Sequence, residues 1–198
     1  MDRPETAAEP QPIDSRVPEE VVRAVEGARV ILAATDDGTE PAYVASRAVA
    51  VQLAQRAGAR LLLMDRSAES LLTDPYGRGP FTSDNETWSA GEGPLRHNEA
   101  EALGRHYLNE QIDVAAEAGV KARAWMPHGT GAGGGDVREA LERFEVDALV
   151  VPADPPEGLV EKLGGGWLDD VRELAGERPL VFVERDGSAR IDARPSET

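Results

Sequence analysis

Hydrophobic residues are grouped along the chain in five short segments, each about as long as a β-strand. Most of these segments lack the apolar–polar alternation of a strand that has one face in water. Largely uninterrupted apolar segments of this length are typical of strands that are buried on both faces of a parallel sheet. The pattern therefore predicts five buried strands, at residues 28–35, 59–65, 120–126, 147–152 and 179–184.

Longer amphipathic segments lie between the predicted strands and indicate helices. One helix is predicted over residues 41–57, with Pro41 in its first turn and Gly58 directly after its end, two positions that suit these residues. Further helices are predicted at residues 20–27, 98–118, 136–144 and 166–176. Regular alternation of strands and helices predicts a parallel sheet with right-handed crossovers and helices on both faces.

The predicted elements form a single α/β domain at residues 20–185, which agrees with the chain length of 198 residues. Residues 1–19 are acidic and contain several prolines, so a flexible N-terminal arm is expected there. Residues 186–198 are predicted to be a polar C-terminal tail. The segment 66–97 is rich in Ser, Gly, Pro and Asp and is long for a loop, so it is predicted to be functional or partly mobile.

The charge of the chain limits its expected partners. The formal net charge is −16 at pH 7, which disfavours binding to nucleic acids and anionic membranes, because both require a basic surface. The absence of cysteine excludes disulfides and thiolate metal sites. No apolar run has the roughly 18–20 residues of a membrane span, and no secretory signal is visible. A cytoplasmic protein without nucleic-acid or membrane partners is therefore expected.

A glycine-rich segment after the third predicted strand has a familiar spacing. Gly129, Gly131 and Gly134 fit the Gly-x-Gly-x-x-Gly pattern of dinucleotide-binding loops. In the dinucleotide-binding fold, however, this pattern follows the first strand. The segment is therefore interpreted as a connector between a strand and a helix. Contact with an anion through the N–H groups at the start of the helix is the alternative.

Two stretches of the sequence resemble the universal stress protein family. Residues 29–65 contain a strand, an Asp-containing turn, an alanine-rich helix, a Gly-Ala pair and a second apolar strand, the order with which the family begins. Residues 133–184 resemble its closing half. The resemblance, to a divergent UspA-like domain, covers most of residues 28–184 and implies a role in stress response. It also implies an open five-stranded parallel sheet of the Rossmann-like, adenine nucleotide alpha hydrolase-like type, with strand order 3-2-1-4-5.

The resemblance places a ligand site at the carboxyl ends of the first and fourth strands, where the strand order reverses. Nucleotide-binding members of the family carry Gly-x2-Gly-x9-Gly-Ser/Thr after the fourth strand. This sequence has Pro152, Pro155, Gly165 and Gly166 at that spacing. Proline has no N–H to donate to a phosphate, and Gly166 lacks the hydroxyl of Ser or Thr. The nucleotide-binding motif is therefore interpreted as degenerate, and neither tightly bound ATP nor another cofactor is expected.

Some capacity to bind ATP or AMP is still predicted at this site. The candidate contacts are Thr35, Asp36, Met64, Gly164, Gly165 and Gly166. The resemblance implies that Asp36 lies beside the nucleotide, and a turn or cap residue is its other interpretation. Trp167 directly follows these glycines. It is interpreted either as a core residue or as a cover of the site, because an indole buries a large apolar area.

No catalytic or metal-binding group is predicted. His97, His106 and His128 lack the spacing of a helical metal site, and the sequence has no nucleophile elbow or Walker loop. The apolar fifth strand is expected at the sheet edge, where pairing with a second copy gives a homodimer. The resulting hypothesis is a homodimeric, non-enzymatic regulatory or adaptor domain of universal-stress type. The alternatives are an ATP- or AMP-binding stress protein and a small α/β enzyme with residues 66–97 as its lid.

Overall fold

The computed structural model describes residues 17–35, 40–65, 106–125, 127, 134–154 and 166–192. In chain order the elements are α1 (Glu19–Ala24), β1 (Val30–Thr35), α2 (Pro41–Ala57), β2 (Arg60–Asp65), α3 (His106–Glu117), β3 (Ala122–Trp125), α4 (Gly135–Phe144), β4 (Ala148–Pro152), α5 (Trp167–Ala175), β5 (Leu180–Val183) and β6 (Ala189–Ile191). The helix predicted at residues 41–57 has its predicted bounds. None of the helices in these ranges has the length and apolarity needed to cross a membrane.

The strands form one sheet with the order β3-β2-β1-β4-β5-β6. The strands β1 to β5 are parallel, and β6 pairs antiparallel with β5. The predicted α/β architecture and the strand order 3-2-1-4-5 are confirmed. The predicted number of five strands is wrong, because β6 forms within residues 186–198, the segment expected to be a tail.

The sixth strand follows a tight turn directly after β5. Gly187 has φ 85°, a left-handed conformation that favours glycine, and its N–H donates to the carbonyl of Glu184. The N–H of Ser188 donates to a carboxylate oxygen of Asp186 at 2.9 Å. The chain thereby returns along β5 and covers it, so the prediction that the fifth strand is the sheet edge is wrong. The homodimer stays a prediction, but a free edge at β5 can no longer be the reason for it.

Helices pack on both faces of the sheet, as predicted. Ile31 and Ala33 of β1 belong to the apolar cluster that contains residues of α1, α2 and α3. Leu32 and Ala34 belong to the opposite cluster, with residues of α4 and α5. Every residue of β1, β4 and β5 is buried. Burial on both faces is the physical reason for the uninterrupted apolar segments in the sequence.

Asp147, the residue before β4, joins this strand to β1. One of its carboxylate oxygens accepts the N–H of Arg29 at 2.8 Å and the N–H of Val30 at 3.1 Å, and the Nε of Arg29 lies 3.7 Å away. Burial alone would raise the pKa of Asp147, but the two N–H groups and the guanidinium outweigh burial and hold this pKa below its ordinary value. Such a carboxylate adds stability above its unfolded pKa, and this stability is lost as the pH falls through the folded pKa.

We expect Asp147→Ala to lower the free energy of unfolding by about 1 kcal/mol near pH 7, because it removes two hydrogen bonds to a carboxylate that is 32% exposed and partly screened by water. The loss should shrink below about pH 3.9, the pKa of an unfolded aspartate, as the folded carboxylate is protonated. Urea denaturation near pH 7 and at about pH 3 measures both effects. Asp147→Asn keeps an acceptor oxygen and should show a smaller loss. An Asp147→Ala loss that is equal at both pH values would contradict the expectation.

Candidate functional site

The carboxyl ends of β1 and β4 lie side by side in the middle of the sheet, where the strand order reverses. β1 ends at Thr35, and the register partner of Thr35 at the end of β2 is Asp65. Both side chains are fully buried. We call this region, formed by the carboxyl ends of β1, β2, β4 and β5 and by the first half of α2, the mouth. It is the position at which open α/β sheets bind ligands.

A guanidinium from α2 lies at the buried end of β1. Nη1 of Arg47 donates a hydrogen bond to Oγ1 of Thr35, with 2.9 Å between the two atoms. The candidate residue Thr35 is therefore at the mouth, and its hydroxyl already accepts a hydrogen bond from within the protein. Arg47 was not a predicted site residue. An arginine in an alanine-rich helix carries no local pattern that separates an inward-facing side chain from one on the surface.

A second arginine joins the two sides of the mouth. Nη2 of Arg185, which follows β5, lies 3.6 Å from a carboxylate oxygen of Glu40 and 3.5 Å from a carboxylate oxygen of Asp154. Glu40 is the N-cap of α2, and Asp154 lies just beyond β4. The Arg185 side chain is 58% exposed, so each pair contributes about 0–1 kcal/mol. The guanidinium of Arg185 and the carboxylates of Glu40 and Asp154 nevertheless lie close together across the mouth.

The structure places three of the predicted candidate residues. Thr35 lies at the mouth, and Met64 is fully buried in the apolar cluster with α4 and α5, opposite Ala34 of β1. Gly166 is the exposed N-cap of α5, where an added Cβ would lie 3.3 Å from a carboxylate oxygen of Asp169. Outside the described residues are Asp36, Gly164, Gly165, Pro155 and the segment 66–97. The contacts of those residues stay predictions.

Trp167 is a core residue, the first of its two interpretations. Its side chain is 3% exposed, and its Nε1 donates a hydrogen bond to Oδ1 of Asp136 at 3.0 Å. Asp136 is 1% exposed, and the same oxygen accepts the N–H of Val137 at 2.8 Å. This contact joins the start of α5 to the start of α4. Local sequence patterns do not predict this contact, because the two partners are 31 residues apart.

Gly134, the third glycine of the Gly-x-Gly-x-x-Gly spacing, has a packing role. It is the N-cap of α4 and has φ 63°. An added Cβ would lie 2.7 Å from Cδ1 of Leu174 and 3.1 Å from Cβ of Asp170, both on α5. The glycine therefore permits the close approach of α4 to α5. This supports the connector interpretation, while Gly129 and Gly131 lie outside the described residues.

Comparison with solved structures finds similarity to 12 chains, among them two universal stress proteins. One is the crystal structure of a universal stress protein in complex with cAMP, with 17% sequence identity and a TM-score of 0.47, over 81% of this chain and 99% of that chain. The other is from Archaeoglobus fulgidus, with 16% identity and a TM-score of 0.45, over 78% of this chain and 97% of that chain. Both are universal stress proteins. No protein-family model and no curated protein matches the chain.

Proposed function

We propose that this chain is a universal-stress-like regulatory or adaptor domain that catalyses no reaction and does not bind ATP tightly. The charge of the mouth is the observation that supports this proposal most directly. Among the described residues, its carboxyl groups include those of Glu40, Asp65 and Asp154, and its guanidiniums include those of Arg47 and Arg185. These described groups offer a polyphosphate no excess of positive charge, so their Coulomb attraction does not favour its entry.

The two arginines in the described part of the mouth are already in contact with other groups of the protein. Arg47 donates to Thr35, and Arg185 lies between Glu40 and Asp154. These contacts compete with a phosphate for the two guanidiniums, and the two carboxylates offset the positive charge of Arg185. Pro152, the last residue of β4, has no N–H to offer. Phosphate sites in α/β folds rely on the opposite features, which are available backbone N–H groups and positive charge.

The guanidinium of Arg47 donates a hydrogen bond to Oγ1 of Thr35. A guanidinium has no acceptor atom, so Arg47 cannot be the base that a nucleophilic hydroxyl needs. This contact is compatible with a non-enzymatic role. A domain of this kind acts by presenting its surface to a partner, which is the regulatory or adaptor function that we propose.

Equilibrium titration with labelled ATP tests the proposal. We expect the wild-type protein to show no dissociation constant below about 10 μM, which corresponds to about −7 kcal/mol. Glu40→Gln/Asp154→Asn removes two carboxylates and releases Arg185 from its ion pairs. This variant should bind ATP more tightly than the wild type, by roughly fivefold or more. Each carboxylate that is neutralised at the mouth should improve the binding free energy by up to about 1 kcal/mol.

The matched control is Glu20→Gln/Glu142→Gln, which changes the net charge equally at two exposed positions on α1 and α4. Its affinity for ATP should equal that of the wild type. An equal gain in both double variants would show that the total charge, and not the mouth, limits binding. A wild-type dissociation constant below about 10 μM would favour the nucleotide-binding alternative, and ATP turnover would favour the enzyme.

A further inference from the structure

A cavity of about 820 Å³ lies at the end of the sheet opposite the mouth, where β2 and β3 begin. Small-molecule sites typically measure about 300–1,000 Å³. Apolar side chains from five elements and from the loop before β3 line it, and among them are Leu62, Ile112, Val120 and Phe144. The cavity shares no residue with the mouth. Its interpretation is therefore independent of the proposed function.

The charged residues around this cavity are mostly basic, although the chain as a whole is acidic. Acidic residues outnumber Lys and Arg by 37 to 21 in the whole sequence, but four cations and one carboxylate line the cavity. Three of the cations, Arg60, Lys121 and Arg123, are exposed and form no ion pair within the described residues. We call them the basic triad. The fourth, Arg143, lies 3.4 Å from Glu139 on its own helix.

The strand register places the basic triad at neighbouring positions of one sheet face. Arg123 is the register partner of Leu62. Arg60 lies two residues before Leu62 at the start of β2, and Lys121 lies two residues before Arg123, directly before β3. Residues two apart on a strand point to the same face, and adjacent strands are about 4.8 Å apart. Like charges at such positions destabilise a sheet. Locally unfavourable arrangements, such as these neighbouring positive charges, are expected at functional sites.

We propose that this cavity binds an amphipathic carboxylate, an anion that carries an apolar chain or ring. The basic triad holds the carboxylate, since a guanidinium donates two parallel hydrogen bonds to a carboxylate in a fixed geometry. The apolar body packs against Leu62 and Phe144, which line the cavity and belong to the apolar cluster on the same face of the sheet as the triad. A purely inorganic anion would make no use of this apolar wall. The wall is therefore the feature that selects an amphipathic ligand.

Isothermal titration of the full chain with decanoate tests the ligand class. We expect saturable binding of decanoate that is at least about tenfold tighter than binding of decanol or of decyltrimethylammonium, because the charged hydrogen bonds are specific to the anion. Shortening the chain to octanoate should weaken binding by about two- to fourfold per methylene removed. Absence of saturable decanoate binding, or equal affinity for decanoate and acetate, would overturn the proposal.

A matched pair of charge variants tests the location. Arg60→Gln/Lys121→Gln/Arg123→Gln removes the basic triad, and Arg23→Gln/Arg56→Gln/Arg138→Gln removes the same charge at exposed positions on α1, α2 and α4. The triad variant should bind decanoate at least about tenfold more weakly, while the control stays within about twofold of the wild type.

Thermal unfolding without ligand gives a second measurement on the same pair. The triad variant should melt at a higher temperature than the control, because it relieves repulsion between neighbouring cations. Equal weakening of decanoate binding in the two variants, or a lower melting temperature for the triad variant, would refute the assignment.

Discussion

Gly134→Ala is expected to lower the free energy of unfolding by about 2–3 kcal/mol. Two effects add. Alanine has a strained backbone at φ 63°, which costs about 1–2 kcal/mol. Its Cβ would also lie 2.7 Å from the tip of Leu174 and 3.1 Å from Cβ of Asp170, and crowding of this kind costs about 1–3 kcal/mol. The tip of Leu174 can move aside, so the total falls below the sum of the upper limits. Urea denaturation measures the change.

Gly135→Ala is the matched control for this prediction. Gly135 is the next residue and the first of α4, its φ is not positive, and an added Cβ would meet nothing within 4 Å. Alanine there should raise the stability by up to about 1 kcal/mol, because glycine is a poor helix former. Equal effects of the two substitutions would show that α4 and α5 do not depend on a close approach at Gly134.

The pattern of apolar segments predicted the central strands because burial on both faces leaves no polar interruption. β4 and β5 have this property along their whole length. β6 was missed because it is three residues long and has an exposed arginine at its centre, so it carries no apolar run. The pair Asp186-Gly187 was the available signal, since Asp-Gly between strands is typical of a hairpin turn. The strand order 3-2-1-4-5 was predicted from the resemblance, and the hairpin of β5 and β6 leaves that order unchanged.

The functional site was predicted less completely, because its contacts join distant parts of the chain. Thr35 could be predicted because it ends the first strand, and strand ends are visible in the sequence. Arg47 lies 12 residues further on, and Arg185 meets partners from two other segments. The basic triad is similarly scattered until β2 and β3 pair. Local periodicity does not show which arginines of a charged chain will come together.

The buried contact between Asp136 and Trp167 gives the second large expected effect. Asp136→Ala should lower the free energy of unfolding by about 2–3 kcal/mol. It removes the acceptor of a buried indole N–H, which costs about 1–3 kcal/mol, and it removes the acceptor of the Val137 N–H in the first turn of α4. Asp169→Ala is the control, because Asp169 opens α5 with a 78% exposed side chain and should change stability by about 0.5 kcal/mol.

A double-mutant cycle separates the hydrogen bond from the packing of the ring. Trp167→Phe keeps an aromatic ring in the core and removes the donor, so Asp136→Ala should cost about 1–2 kcal/mol less in that background than in the wild type. The remaining cost belongs to the Val137 N–H and to the negative charge at the start of α4, which the helix dipole favours. Strictly additive losses in the cycle would mean that Asp136 acts on α4 alone. In that case the contact with the indole would not hold α4 and α5 together.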